Sequence, residues 1–393
     1  MKEIKLSCEV ITPLFMGGAN MEPEIRTQSI NGVIRWWFRT LGGSKEEEKR
    51  LFGWTGQESK KGAVKFVVYK EPYNSRDIQS CLDSSKNGLN YLAFSLKRQN
   101  RQCLYVGYKF DLRIIFSTIL EEKEKKKFLG ALWCAFYLGN FGSRARRGFG
   151  SIMVREISGD FDNFISFAPK GDIKGWLTSN YEKIRGLFEK PKENNEKSKE
   201  NNIEIYIFEK LDKNIINEWI KEVQKVRNGK YLARNYNPQG VNPAFGRLVG
   251  LYNWRDLLDL MGFTLMAYRS YLDPDYTNAK AIIQGRPNNN IIERAIFGLP
   301  LNFHFSSIKQ GNNRGTVFPV KEGEKLRRAS PLIYKVIKNE EKLEGLIIFV
   351  MDKFLPDDVD LELNGVKLQK PDYTLIKDYL QSLQDKKIIG RLI

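Results

Sequence analysis

The chain has 393 residues, 41% of them hydrophobic, and its 64 lysines and arginines outnumber 47 acidic side chains to leave a formal charge of +17. At about 150 residues per domain this is room for two domains, and no stretch approaches the roughly 18 consecutive apolar residues of a membrane span. So large a basic excess favours a polyanionic partner, and nucleic acid before an anionic membrane, because no basic amphipathic helix with an exposed apolar face stands out.

The opening residues hold no apolar signal core, so the expectation is a soluble, unexported protein of the cytoplasm. From Lys2 to Ile11 the residues Ile4, Leu6, Cys8 and Val10 alternate with polar ones, as in a half-buried strand. Leu14-Phe15-Met16-Gly17-Gly18 then turns the chain into a polar loop. Arg26-Thr27-Gln28-Ser29-Ile30-Asn31-Gly32 leads into Val33–Leu41, which reads as a helix with Ser29 as N-cap. Arg35 and Arg39, four apart, share one face of it, while Ile34, Trp37, Phe38 and Leu41 bury the other. A charged segment ending in Lys49-Arg50-Leu51-Phe52-Gly53 reads as a short helix. Strands are expected at 62–69 and 105–116 with a less regular connection between them. A helix over 121–138 is expected to pack Phe128, Leu132 and Phe136 inward, with the Lys123–Lys127 run on a solvated face.

That helix runs into Gly139-Asn140-Phe141-Gly142-Ser143-Arg144-Ala145-Arg146-Arg147-Gly148-Phe149-Gly150-Ser151, after which Ile152-Met153-Val154 resumes as a strand. The order is compatible with a βαββαβ ferredoxin-like unit. Residues 190–202 have no apolar residue beyond one proline and read as a linker or insertion. The second half opens with a strand at 203–211 and a helix around 215–226. The 254–271 segment has helical period, and Glu293-Arg294-Ala295-Ile296-Phe297-Gly298 echoes the earlier Phe-Gly ending. Strands are further expected at 301–305 and 345–351. The predicted organisation is a domain at 1–160, a connection at 161–202 and a second domain at 203–393.

The glycine-arginine loop carries the chemistry. Its glycines permit backbone conformations closed to other residues and a close approach to a ligand, while Arg144, Arg146 and Arg147 offer forked donors suited to phosphate. There is no Gly-x4-Gly-Lys-Ser/Thr, and Gly148-Phe149-Gly150 lacks the third glycine of a dinucleotide fingerprint, so a nucleotide-hydrolysing engine is excluded. Arg147–Val154 resembles the opening of an RNA-recognition-motif strand, but Ser151 and Val154 stand where stacking rings belong. The expectation is a loop that tracks an RNA backbone, joined by the Ser29–Arg39 helix, with Arg327-Arg328 as a weaker second patch. Cys8, Cys81, Cys103 and Cys134 are scattered without a Cys-x-x-Cys spacing, which suggests neither a disulfide framework nor a zinc site. His304 is the only histidine and cannot form a two-histidine nuclease. Asp357, Asp358, Asp360 and Glu362 read as an exposed loop before a metal site. No catalytic residue, cofactor or metal is expected.

Three stretches together, 12–18 (Thr-Pro-Leu-Phe-Met-Gly-Gly), 26–39 with Arg35-Trp36-Trp37-Phe38-Arg39, and 139–151, resemble the RAMP superfamily of CRISPR systems. Within it they are most similar to the first-subunit family of the Cmr (type III-B) RNA-targeting effector complex. Glu293–Leu299 and the Arg327–Leu332 segment look compatible with that family's C-terminal half. The resemblance implies an α+β fold of two ferredoxin-like, RRM-related domains with a glycine-rich loop on an RNA-facing surface. It also implies a non-catalytic role toward the end that holds the 3′ part of the CRISPR RNA and its single-stranded target RNA, among other Cmr subunits. Carried onto this chain, the RNA-facing residues are Gly142, Arg144, Arg146, Arg147, Gly148 and Gly150 of the loop, with Ser29, Gly32, Arg35 and Arg39 of the helix. The alternative is a metal-independent endoribonuclease of CRISPR repeats, built on His304 with a nearby tyrosine or lysine.

Overall fold

A computed structural model of the chain describes residues 2–18, 22–56, 59–70, 75–83, 86–117, 120–189, 203–209, 213–226, 253–269, 274–287, 289–340 and 342–393. The expected linker at 190–202 lies outside them.

The first half is organised on β1 (Lys2–Val10), whose Ile4, Leu6, Cys8 and Val10 are completely buried, the outcome of their alternation. It pairs antiparallel with β5 (Lys109–Phe116) on one side and β6 (Ile152–Gly159) on the other. β2 (Val64–Lys70) adds to β5, giving the order β2-β5-β1-β6. Between β1 and β2 come α1 (Thr27–Thr40) and α2 (Lys45–Phe52), and between β5 and β6 comes α5 (Glu122–Tyr137).

Two sequence expectations are corrected here. Helix α1 starts at Thr27, so Ser29 lies in its first turn and the N-cap is Arg26, which caps with no side-chain bond. A central glycine costs a helix about 1 kcal/mol, yet the buried stripe Ile30, Ile34, Trp37, Phe38 continues straight past Gly32. Burial of Ile30 decides the matter. The lysine run of α5 is also less solvated than expected: Lys125 is buried against Asp160 at 3.0 Å, and Lys127 reaches Glu47 of α2 at 2.6 Å.

The connection between β2 and β5 is itself folded. It contains β3 (Ser75–Asp77), α3 (Ile78–Cys81), α4 (Asn87–Arg98) and β4 (Gln102–Leu104). Helix α4 packs on α8 (Trp254–Arg269) of the second half. The Asp259 carboxylate of α8 accepts from the backbone N–H groups of Gly88 and Leu89 at 2.8 and 3.1 Å, satisfying donors that a helix start leaves open. The first half ends with α6 (Ile173–Phe188), laid on α5 with Trp176 against Trp133.

In the second half β7 (Ile203–Phe208) is followed by α7 (Lys213–Val226) and α8, then by α9 (Asp275–Ile283) and a short 3-10 helix, Glu293–Phe297. β8 (Leu301–His304), β9 (Arg314–Lys321), β10 (Glu324–Lys325), β13 (Asp360–Leu363) and β14 (Val366–Leu368) form an accessory antiparallel sheet. The main sheet has the order β11-β12-β7-β15, from β11 (Leu332–Asn339), β12 (Lys342–Val350) and the closing β15 (Ile389–Arg391), with α10 (Thr374–Asp385) before β15. Counting each sheet's strands along the chain, both halves read 2-3-1-4, antiparallel throughout. The Phe-Gly echo belongs to this repeat: α2 ends on Phe52 and Gly53 at φ 83°, the 3-10 helix on Phe297 and Gly298 at φ 122°.

The second sheet is covered on both faces. Ile205, Ile207, Ile333 and Ile348 join the core of the first half, while Tyr206, Leu332, Tyr334 and Phe349 join that of the second. That is why β7 and β12 read as near-continuous apolar runs and not as alternation.

Candidate nucleic-acid interface

The glycine-arginine loop lies in the seam between the halves. Its Arg147 bridges to Tyr334 of β11. Asn140 donates through Nδ2 to the Tyr334 carbonyl at 2.8 Å and to the Ala145 carbonyl at 2.6 Å, and its Oδ1 accepts from Ser151 Oγ at 2.6 Å. Thr12 of the Thr12-Pro13 turn donates to the Gly148 carbonyl at 2.7 Å and accepts from the Ser151 N–H at 2.8 Å. The loop is therefore latched at both ends by buried polar side chains.

The glycines allow close packing at this point. Gly148 and Gly150 are buried. A Cβ on Gly150 would sit 1.9 Å from the Phe141 carbonyl oxygen, one on Gly142 2.6 Å from that of Phe15, and one on Gly148 2.3 Å from Leu258 Cδ2. Main chain meets main chain at Gly142 and Gly150, and side chains crowd Gly148.

The three arginines point two ways. Arg146 donates to the Ser330 carbonyl and lies over the Trp36 ring of α1 at 4.6 Å. Burial, then Arg328 and Arg147, bring its guanidinium down to about 10. Arg144 donates through Nε to the Leu92 carbonyl at 2.8 Å, and Arg147 faces the second half.

Outside the seam, α1 presents an open stripe. Gly32 and Arg39 are exposed, with nothing within 4 Å of where a Gly32 Cβ would be, and Arg35 is half-buried between them. Glu48 of α2, itself nearly buried, binds Arg35 Nε and lies 4.0 Å from Arg39, whose side chain is 56% exposed. Ser29 is half-buried. Beyond Arg39 a hollow of about 380 Å³ is lined by Arg35, Arg39, Lys45, Lys49, Glu48 and Trp54. Trp54 is 39% exposed, with the Lys49 and Lys45 amines 5.2 and 5.8 Å from its ring centre. The structure thus brings Gly32, Arg35, Arg39 and Arg146 to one region and sends Arg144 and Arg147 to another. Sequence reasoning missed Lys45, Lys49 and Trp54, although an aromatic in a Gly-Trp-Thr-Gly turn just after lysines is the basic-aromatic interleaving that marks RNA surfaces.

Elsewhere, Arg327 is exposed, while Arg328 donates to Tyr373 Oη at 3.0 Å. The acidic run is matched by lysines, Asp357 with Lys353, Asp358 with Lys321 and Asp360 with Lys367, and no metal-binding cluster occurs among the described residues. No described helix is long and apolar enough to cross a membrane. His304 stands on β8, exposed, opposite Arg314 in the register.

The family model of the RAMP superfamily matches residues 7–153. The chain is 34% identical over 184 residues to the CRISPR system Cmr subunit Cmr1-2 of Pyrococcus furiosus, covering 40% of this chain and 97% of that one. Subunit Cmr1-1 of the same organism is 31% identical over 150 residues, covering 35% of this chain and 43% of the relative. The fold is also similar to the apo crystal structure of Cmr1 from Pyrococcus furiosus, with a TM-score of 0.54 at 18% identity over 100% of this chain and 99% of the other. With the latched loop and the Arg35–Arg39 helix both inside or beside the matched region, the chain belongs to the RAMP superfamily, as a member of its family of Cmr subunits.

Proposed function

We propose that the chain is a non-catalytic RNA-binding subunit of a type III-B Cmr effector ribonucleoprotein. In this reading it holds CRISPR RNA, single-stranded target RNA, or both, near the guide 3′ end and beside other Cmr subunits. The observation that carries it is the stripe of exposed Gly32 and Arg39 with half-buried Arg35, continued by Arg146 on Trp36 and by the Lys45, Lys49 and Trp54 hollow. Such a surface suits backbone phosphates on its cations and one base on an exposed ring, with little reading of sequence. Ser29 and Gly32 leave room for a strand along α1. Gly142, Gly148 and Gly150 act by holding Arg144, Arg146 and Arg147 in place.

The same reading takes 1–160 and 203–393 as ferredoxin-like, RRM-related domains joined through 161–202. The repeated 2-3-1-4 order supports it, being that of a βαββαβ unit. The relatives are Cmr subunits by name, which supports other Cmr subunits as partners. A cytoplasmic setting, with no cofactor or metal, completes the proposal.

The test is binding of the full chain to labelled single-stranded RNA across a salt series. Each phosphate neutralised contributes a log-log slope of about −0.7, so Arg39→Ala with Lys49→Ala should weaken binding and flatten the slope by about 1.4. An unchanged slope overturns the placement on α1. Specific cleavage of repeat RNA that is lost in His304→Ala would overturn the non-catalytic part and favour the endoribonuclease.

A further inference from the structure

Four arginines from both halves meet where the loop crosses the seam. Arg144 and Arg147 come from the loop, Arg269 from the last turn of α8 and Arg294 from the 3-10 helix, and all four act on the phenol of Tyr91 in α4. Arg269 donates through Nη1 to Tyr91 Oη at 2.7 Å, and Arg294 through Nη1 to the Arg269 carbonyl at 2.9 Å. Aromatic rings hold the flat faces of these two, Phe297 at 5.2 Å from Arg269 and Phe303 at 4.9 Å from Arg294. Each guanidinium is thus fixed while part of its donor edge stays unused. Arg147 Nη1, Arg269 Nε and Arg294 Nε are buried with no hydrogen-bond partner.

The charge is equally unanswered. The groups acting on Arg144 and Arg147 are arginines and tyrosines, with no carboxylate among them. Burial first and then neighbouring arginines bring Arg144 and Arg294 down to about 10 and Arg147 below its ordinary value. Burial acts to raise the Tyr91 phenol, yet Arg269, Arg147, Arg294 and Arg144 together hold it lower than usual. Asp275 does act on Arg294, but its two oxygens accept from the backbone N–H groups of Glu293 and Arg294 at 2.7 and 2.6 Å, as the cap of the 3-10 helix. Like charges held together away from water destabilise the fold until an anion joins them.

We infer that this junction is a seat for one oxyanion of the phosphate class, gripped by Arg144 and Arg147 from one half and by Arg269 and Arg294 from the other. Forked guanidinium donors match phosphate oxygens two at a time. A phosphodiester of bound RNA and free inorganic phosphate share this chemistry. The first source rests on the RNA-binding reading above; the second does not.

The experiment uses the full chain and inorganic phosphate. The thermal midpoint should rise with phosphate beyond the effect of chloride at equal ionic strength, because a ligand of the folded state stabilises by mass action. Arg269→Gln with Arg294→Gln should weaken phosphate binding about tenfold or more, two charged partners being lost. If that variant does not fold, Arg269→Lys with Arg294→Lys keeps the charge and removes the forks, and should still bind phosphate more weakly. A parallel arm measures single-stranded RNA: a matching loss of RNA affinity assigns the seat to a phosphodiester, whereas unchanged RNA affinity beside a lost phosphate response assigns it to free phosphate. The seat is refuted if phosphate does no more than chloride, or if wild type and variants respond alike. Failure of the wild type to bind any RNA would refute the earlier reading while leaving the phosphate result to decide this one.

Discussion

Replacing Gly150 by alanine tests whether the loop is a structural seam. Gly150 has φ 76°, a left-handed conformation that costs an L side chain about 1–2 kcal/mol. Its new Cβ would also lie 1.9 Å from the Phe141 carbonyl oxygen, backbone that must move. The movement threatens two hydrogen bonds, Phe141 N–H to the Gly150 carbonyl and Gly150 N–H to the Pro13 carbonyl, each 3.0 Å. A buried polar group left unpaired costs about 1–3 kcal/mol, so with one such group the total is about 2–5 kcal/mol. That is a large share of the roughly 5–15 kcal/mol that holds a domain folded. Gly107 supplies the control: its φ is 86°, but nothing lies within 4 Å of its missing Cβ, so Gly107→Ala should cost only the backbone term of about 1–2 kcal/mol. Urea unfolding of both variants, followed by tryptophan fluorescence, measures the difference. If Gly150→Ala falls within about 1 kcal/mol of Gly107→Ala, the close packing ascribed to the loop is wrong.

Asn140→Ala removes three short bonds at the latch and should cost about 2–4 kcal/mol, seen as faster proteolysis within 139–151 and faster amide exchange at Tyr334. Lys335 is completely buried with its amine unpaired, and burial pushes that amine well below its ordinary value. The unfolded chain then binds a proton that the folded chain releases, so wild-type stability rises with pH until about 10.4, where the unfolded lysine titrates. Lys335→Met should be more stable than wild type at neutral pH by about 1–3 kcal/mol, with the gain shrinking toward pH 10, and a pH-independent difference would contradict the account. Glu48→Gln frees Arg35 and Arg39 from their shared carboxylate and should tighten RNA binding and steepen the salt slope by about 0.7 for each extra phosphate engaged. Weaker RNA binding would instead identify Glu48 as the group that orients both arginines.

Much of the architecture was legible because burial on one face leaves a period. The alternation of β1, the Phe128, Leu132, Phe136 spacing of α5 and the strands at β2 and β5 all follow from it. Helix α4 reads only as part of a less regular connection, because the glycine and polar residues around Leu89, Leu92, Ala93 and Leu96 mask their helical spacing. β11 is harder to see because its two faces enter different cores, so that apolar residues and a buried lysine follow one another without alternation. At the candidate site, composition singled out the glycine-arginine loop and the Ser29–Arg39 helix. It could not reveal that Arg146 stacks on Trp36 while Arg144 and Arg147 turn the other way, because the partners are set by tertiary packing, Leu92 on α4 and Ser330 and Tyr334 in the second half. Arg269 and Arg294 are invisible for the same reason: alone, each is an arginine near the end of a helix.

The position of the loop couples two properties that are usually separate. A loop of the first half completes its hydrogen bonding on a strand of the second, through Asn140, Arg146, Arg147 and Tyr334. The charge that suits it to an anion is also charge that the two halves hold against each other, Arg144 and Arg147 facing Arg269 and Arg294. An anion in that seat relieves the repulsion and so strengthens the docking of the halves. By reciprocity, whatever strengthens the docking must raise the affinity for the anion by the same factor. Damage to the Asn140 latch should therefore weaken phosphate binding although the hydrogen bonds of the Asn140 side chain go to Ala145, Tyr334 and Ser151, whereas a surface change such as Arg39→Ala should leave phosphate binding intact. A latch variant that is destabilised yet binds phosphate as wild type does would show the seam and the seat to be independent.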